Sequence, residues 1–252
     1  MMSAMHDYNA APNLLEGRVI LVTGAGAGIG RAAAEAFAAH GATVVLLGRT
    51  LQKLEQIYDA IEQAGHPQPA IYPLNLEGAT PKDYQDLATT LESEFGRLDG
   101  LLHNAANLGT LTPLEQYDVE TWYRVFQVNL HGAFLLTRAC LPLLRRAPDA
   151  SVLFTSSSVG RAARAYWGAY AVSKFAVEGL MQVLADELEG TTNIRVNSIN
   201  PGPVRTALRA QAYPAENPAT LVLPEAIMAP YLYLMGPDSQ AVKGQALDAQ
   251  PG

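Results

Sequence analysis

The chain has 252 residues, 49% of them hydrophobic and 16% charged, with a formal net charge of −7 and a single cysteine, Cys140. That balance supports a sizeable buried core and argues against a disordered chain or a nucleic-acid surface, since no dense Lys/Arg run is present. One cysteine excludes an internal disulfide and a Cys-based zinc cluster, and no apolar run reaches the ~18–20 residues of a membrane span. Residues 1–12 lack the charged start and apolar middle of a secretory signal, so a soluble, cytoplasmic protein is expected.

Residues 1–14 are polar and mixed and are expected to be flexible, leaving one domain over 15–252. Residues 18–23 read as a short buried strand, 24–30 as a glycine turn and 31–40 as an alanine-rich helix. Strands then follow at 42–47, 70–74, 100–103, 151–155 and 194–199. Helices fall between them at 51–64, 83–95, 119–144 and 167–189. The long third stretch carries Pro142 near its end. Weaker signals give a helix over 224–234 and a last strand over 244–248. Unbroken alternation with apolar strands means a parallel sheet covered on both faces, an α/β Rossmann-type doubly wound fold of about seven strands.

Three places carry chemistry. Strand, glycine turn and helix together make the start of a dinucleotide-binding unit, where glycines let the backbone approach a pyrophosphate at the helix N-terminus. Gly-x-Gly-x-x-Gly fails in both registers, because Ile29 or Arg31 falls where the last glycine should be; Thr23-Gly24-x-x-x-Gly28-x-Gly30 fits instead. At the end of the second strand stands Gly48-Arg49, with no acid until Glu55. A carboxylate there would accept from the ribose hydroxyls of NAD, whereas an arginine pairs with the 2′-phosphate of NADP, so NADP(H) is expected over NAD(H).

The third place is Tyr170 with Lys174. A spacing of four puts phenol and ammonium one turn apart on one helix face. A free tyrosine titrates near ~10. A neighbouring cation favours the phenolate and is expected to bring that value toward the working pH, where acid–base catalysis is efficient. Ser157, at the end of the apolar run Val152-Leu153-Phe154, is placed to meet the phenol over one substrate oxygen. Its neighbours Ser156 and Ser158 are near misses; the thirteen-residue offset to Tyr170 and Gly160 three positions on favour Ser157.

These motifs together resemble the short-chain dehydrogenase/reductases. The resemblance runs from Leu15 nearly to the C-terminus: the glycine turn, His103-Asn104-Ala105-Ala106, Asn129 in Val128-Asn129-Leu130, Ser157, Tyr170/Lys174, and Asn200-Pro201-Gly202-Pro203-Val204-Arg205-Thr206. The stretches 154–161, 167–170 and 248–252 look closer still to the YciK-type bacterial oxidoreductases. The resemblance implies that Gly24, Gly28 and Gly30 cradle the pyrophosphate, with Thr23 and Ile29 among the cofactor-binding residues. Arg49, Asn75, Leu76, Asn104 and Ala105 would line the adenosine half, and Pro201, Gly202, Val204 and Thr206 would meet the nicotinamide carboxamide. It further implies that Lys174 holds the nicotinamide ribose, Tyr170 is the proton donor, Ser157 polarises the substrate oxygen, and Asn129 holds a water leading from Lys174 to solvent. Three departures stand out: Ala106 for the usual glycine, Asn75 for an aspartate, and the closing Asp248-Ala249-Gln250-Pro251-Gly252 for Asp-Gly-Gly.

The expected reaction is hydride transfer between nicotinamide and a small-molecule carbonyl/alcohol substrate, a ketone or 3-oxoacyl-type compound. The rival is a dinucleotide-binding sensor without chemistry; the presence of both Tyr170 and Lys174 speaks against it. No metal site is expected, because His103 and His131 are not at ligand spacing and have no acidic or cysteine partner. Residues 207–223, with Leu208, Tyr213, Pro214, Leu221, Leu223, Arg209 and Glu216, are expected to close over the substrate, and Tyr166 and Trp167 to add aromatic wall. Apolar side chains on more than one face of 119–144 and 167–189, Phe134, Phe175, Met181 and Val183 among them, predict a homodimer or homotetramer. Met181 is expected on the exposed face.

Overall fold

The computed structural model describes residues 5–251. Seven strands form one wholly parallel sheet: β1 (Val19–Thr23), β2 (Thr43–Gly48), β3 (Ala70–Pro73), β4 (Gly100–His103), β5 (Ala150–Thr155), β6 (Ile194–Asn200) and β7 (Ala246–Asp248). Their order is β3-β2-β1-β4-β5-β6-β7. The order reverses between β1 and β4, and in such a sheet the crevice outside the strand ends at that reversal is where ligands bind.

Alternate residues of each strand feed two cores. Ile20, Val22, Val44 and Leu46 face Phe37, Leu54, Tyr231 and Met235 on one side. Leu21, Val45 and Leu47 face Leu87, Leu136, Cys140 and Met181 on the other. Period-two alternation with both faces apolar is what a doubly covered parallel sheet requires.

The helices are α1 (Gly28–Ala39), α2 (Leu51–Gln63), α3 (Pro81–Phe95), α4 (Val119–Phe126), α5 (Gly132–Leu144), α6 (Gly168–Leu188), α7 (Ala207–Ala212) and α8 (Met228–Met235). α3 starts two residues before the expected 83, because Pro81 takes the first helical position behind a Thr80/Asp83 capping box. The stretch 119–144 is helical but not one α-helix. A π-turn over Gln127–His131 separates α4 from α5, and such turns place one extra residue in the helix and concentrate at functional sites.

The N-terminal segment makes contacts with the body of the sheet fold. Residues 1–4 lie outside the described residues, but 5–14 pack on the body rather than hang from it. Met5 is buried, Tyr8 stands edge-on to Tyr233 and donates to Asp238 Oδ2 at 2.6 Å, and His6 Nε2 lies 3.0 Å from the Asp248 carbonyl. The apolar and aromatic side chains scattered in this polar stretch outweigh its composition.

Candidate active site

Carboxyl ends of β1, β2, β4, β5 and β6 open on one cleft of about 650 Å³. At its centre is the glycine turn. Gly24 has φ +67°, and a Cβ there would sit 2.9 Å from Ala105 Cα. Gly28 has φ +56°, and its Cβ would sit 3.3 Å from Thr206 Cγ2. At Gly24 only glycine lets the two backbones approach so closely, and at both positions the left-handed φ favours it. α1 begins behind Ala27 with no side-chain cap and no acid in its first turn. Its first N–H groups therefore face the cleft unneutralised, the arrangement that suits a phosphate.

Two residues of the glycine motif do not line the cleft. Thr23 is buried; its hydroxyl accepts from the N–H groups of Asn104 (2.9 Å) and Ala105 (3.0 Å), tying β4's exit to β1. Gly30 is buried behind the turn, where a Cβ would lie 2.3 Å from Gly24 O and 2.6 Å from Asn104 Nδ2. Both shape the cradle from behind. Gly24, Gly28, Ile29, Arg49, Asn75, Leu76, Asn104 and Ala105 do line it. Asn75 Oδ1 accepts from Glu77 N at 3.2 Å, a local turn bond that fixes the side chain and leaves the carbonyl a second lone pair. Lys53 lines the same end as Arg49 and was missed. It lies in the first turn of α2, whereas Arg49 stands in the bend before that helix, so no helical spacing links the two.

Pro201, Gly202, Val204 and Thr206 line the other end. Thr206 Oγ1 caps α7 by accepting from Arg209 N at 3.1 Å. The unusual C-terminus is used here: Gln250 Nε2 donates to the carbonyls of Pro201 (2.7 Å) and Pro203 (3.1 Å) and fixes the loop from outside. Gly252 lies outside the described residues.

Ser157, Tyr170 and Lys174 meet in this half of the cleft. The Ser157 hydroxyl stands beside the Tyr170 phenol, where it favours the phenolate. Ser156 is buried and Ser158 exposed, which leaves Ser157 as the serine turned to the phenol. Lys174 Nζ lies 5.6 Å from the Tyr170 ring centroid and donates to Thr155 O at 2.6 Å. Gly160 permits this packing, since a Cβ there would stand 2.8 Å from Lys174 Cβ.

The electrostatics differ from the expected pattern. Burial pushes Tyr170 up to about 12, with the Ser157 hydroxyl opposing it. Burial pushes Lys174 down to about 8, with Glu178 opposing. Desolvation thus dominates both groups in the chain by itself.

Asn129 sits on the π-turn and does not line the cleft. Its Oδ1 accepts from Asn107 N at 2.7 Å, and its Nδ2 donates to Asn107 O at 3.0 Å and Ser173 Oγ at 2.9 Å. Both amide protons are taken, so the side chain braces the 104–107 loop against α6. Ser173 in turn donates to Tyr170 O at 2.8 Å, so the brace reaches the turn that carries the phenol.

The outer wall is aromatic. Trp167 is tilted against Tyr170 (5.8 Å between centroids) and Tyr213 (5.7 Å). Arg209 lies over the Tyr213 ring at 3.8 Å and donates to Glu216 at 2.7 Å. Leu208, Arg209 and Tyr213 line the cleft, but Pro214, Leu221, Leu223 and Glu216 do not. After Tyr213 the segment folds back outside, with Arg205 N donating to Val222 O at 2.9 Å and Arg205 Nε to Pro218 O at 2.7 Å. Tyr166 also points away: it is 61% exposed with φ +72°.

His103 is buried, stacked on Phe154 at 4.7 Å and bonded through Nε2 to Thr137 Oγ1 at 2.8 Å. Burial holds it down at about 3, so it is a neutral core histidine. Among the described residues no group of three or more His, Cys, Asp or Glu is arranged to hold a metal, and no helix is long and apolar enough to cross a membrane.

The chain is similar to known proteins over most of its length. The short chain dehydrogenase family model matches residues 18–217. An uncharacterised oxidoreductase of Escherichia coli K12, YciK, is 50% identical over 248 residues, covering 98% of this chain and 97% of its own. A short chain dehydrogenase structure from Pseudomonas syringae is 64% identical with a TM-score of 0.96, over 97% of this chain and 99% of that one. Another from Shigella flexneri, solved in complex with NADP, is 50% identical with a TM-score of 0.93, over 96% of this chain and 100% of that one. With the glycine turn, the serine–tyrosine–lysine cluster and these matches in one chain, the protein belongs to the short-chain dehydrogenase family of oxidoreductases.

Proposed function

We propose that the protein is an NADP(H)-dependent oxidoreductase that interconverts a carbonyl compound and its alcohol. The observation that carries the reading is the convergence of Ser157, Tyr170 and Lys174 in a cleft whose far end presents Arg49 and Lys53 with no acid between them. The glycine turn and the uncapped start of α1 would hold the pyrophosphate, Arg49 and Lys53 the 2′-phosphate, and Lys174 with the 201–206 loop the nicotinamide half. The Shigella flexneri relative solved with NADP supports this choice. The nicotinamide supplies or accepts the hydride.

The chain's own groups handle the proton. Ser157 donates a hydrogen bond toward the substrate oxygen and polarises it. Tyr170 gives its phenolic proton to that oxygen in reduction and takes it back in oxidation. A bound ribose and a charged Lys174 would bring the phenol down from the high value that burial alone imposes. Leu108, Val159, Trp167, Leu208 and Tyr213 give an apolar, partly aromatic wall, suited to a ketone or 3-oxoacyl-type substrate. A sensor without chemistry would have no need for this triad.

The test is a cofactor-oxidation screen, NADPH and NADH against ketones, aldehydes, β-ketoacyl thioesters and quinones. Turnover with NADPH that Tyr170→Phe abolishes is expected. A wild-type protein that binds NADPH but turns over no carbonyl class would favour the sensor.

We also propose a homodimer at least. The face is narrower than expected, because Met181 is wholly buried in the core and cannot serve in it. Val172 (44% exposed), Phe175 (43%) and Val183 (58%) remain on α6, with Phe134 (46%) on α5. In the resembled family these two helices pair with their symmetry mates, which here would cover that stripe.

A further inference from the structure

A buried carboxylate behind the site has no role in the proton transfer described above. Glu178 lies on α6 one turn beyond Lys174, on the same face, and is 6% exposed. Its Oε1 accepts from Arg161 Nε at 3.2 Å and its Oε2 from Ser198 Oγ at 2.6 Å. Arg161 extends the network: Nη1 donates to Asp248 Oδ1 at 3.0 Å and Nη2 to Leu247 O at 2.8 Å. Asn200 Nδ2 donates to the same Asp248 oxygen at 2.7 Å. One carboxylate is thus held between the turn that follows Ser157 and the ends of β6 and β7.

We propose that Glu178 is a positioning residue for Lys174: its charge, set by Arg161 and Ser198, keeps Lys174 an ammonium in a buried site. The inference rests on the reading of Lys174 given under Proposed function. A buried ammonium is driven toward the neutral form unless an opposite charge stands close. The groups facing Lys174 are few. On its own helix are Tyr170 and Glu178; β5 offers the Thr155 carbonyl; β4 offers His103, which is neutral; the turn after β5 offers Arg161, which acts through Glu178. Burial depresses Lys174 to about 8, and Glu178 is the group working against that depression. Arg161 limits the help, because its own charge offsets part of the carboxylate's field. Asp248 anchors Arg161 from β7, so the C-terminal strand reaches the site through two ion pairs.

Opposite perturbations separate this from a purely structural clamp. Glu178→Gln removes the carboxylate and leaves Arg161 paired with Asp248 alone, and the loss of the nearby negative charge lowers the Lys174 midpoint. Arg161→Gln frees the carboxylate and raises it. The chain has four lysines, so lysine labelled with heavy carbon beside the amine gives four resonances to titrate by NMR, with Lys174→Met assigning one of them. The expected shift is about one pH unit downward for Glu178→Gln and an upward shift for Arg161→Gln. On a substrate found in the screen, the alkaline limb of kcat/KM should move the same way in each variant. Equal midpoints, or shifts of one sign in both, would overturn the proposal. Should Glu178→Gln not fold, Arg161→Gln decides alone: an upward shift supports the proposal, and any other result sinks it. The titration needs no substrate, so its failure is distinct from a failure of the Tyr170→Phe control.

Discussion

Gly30 separates shaping the cradle from touching what it holds. An alanine methyl there would lie 2.3 Å from Gly24 O, 2.8 Å from Gly24 C and 2.6 Å from Asn104 Nδ2. Two of those atoms are backbone of the glycine turn and cannot rotate away. Overpacking costs about 1–3 kcal/mol, and a clash this deep with fixed backbone belongs at about 3 kcal/mol. For a chain of this size each kcal/mol moves Tm by about 2–4 °C, so Gly30→Ala should melt about 6–12 °C below wild type without any ligand. Gly28→Ala is the contrast. Its methyl would meet only Thr206 Cγ2 at 3.3 Å, and the left-handed φ of +56° costs about 1–2 kcal/mol. It should lose less stability than Gly30→Ala but more dinucleotide affinity, because it stands on the cleft face. Differential scanning fluorimetry and NADPH titration on both variants give the comparison. A Gly30→Ala protein melting within about 1 °C of wild type would refute the packing argument.

Three further outcomes follow from the geometry. Arg49→Ala should lower NADPH affinity roughly tenfold or more while leaving NADH little changed, as measured by fluorescence titration; equal wild-type affinities for the two cofactors would end the claim. Between pH 6.5 and about 3 the unfolded state binds a proton that buried His103 does not, so stability falls as pH falls through that window. His103→Gln should therefore flatten the dependence of Tm on pH below 6.5, and an unchanged slope would show that His103 contributes nothing to it. Val183→Lys should give a species of single-chain mass by light scattering with an unchanged circular dichroism spectrum, since the side chain is 58% exposed in the protomer; a wild type already monomeric at micromolar concentration contradicts the dimer.

Much of the fold could be read from the chain because its signals are local. The run 100–103 stands as the strand expected of it, and the other strands lie within two residues or so of their expected ends. Their apolar, β-branched character leaves little choice once both faces are covered. The cleft residues followed from spacing as well: Tyr170 and Lys174 one turn apart, the glycines at a turn. What was missed depends on contacts between distant segments. Thr23 and Gly30 carry the right residue types, yet which way they face is fixed by Asn104, some eighty residues on. Met181 falls in an apolar run whose phase cannot say which stripe meets the sheet. Leu221 and Leu223 look like pocket wall, but the bridge from Val204 to Val222 carries them outside. Glu178 could have been found from its four-residue offset to Lys174; its importance emerges only with Arg161 and Ser198 around it.

The π-turn over Gln127–His131 also constrains how this segment can vary in length. Each residue of an α-helix advances the chain by about 100°. In a regular helix an extra residue would turn everything beyond it by that angle, whereas a π-turn takes the residue up in one wide turn, so Ala133, Leu136, Cys140 and Leu143 stay buried against the sheet. Deleting one residue from the turn would let α4 and α5 fuse into a regular helix with those faces kept, but the widened turn that aims Asn129 at Asn107 and Ser173 would go. Length can therefore change by one at this point without unpacking α5, and the cost falls on the loop that Asn129 braces.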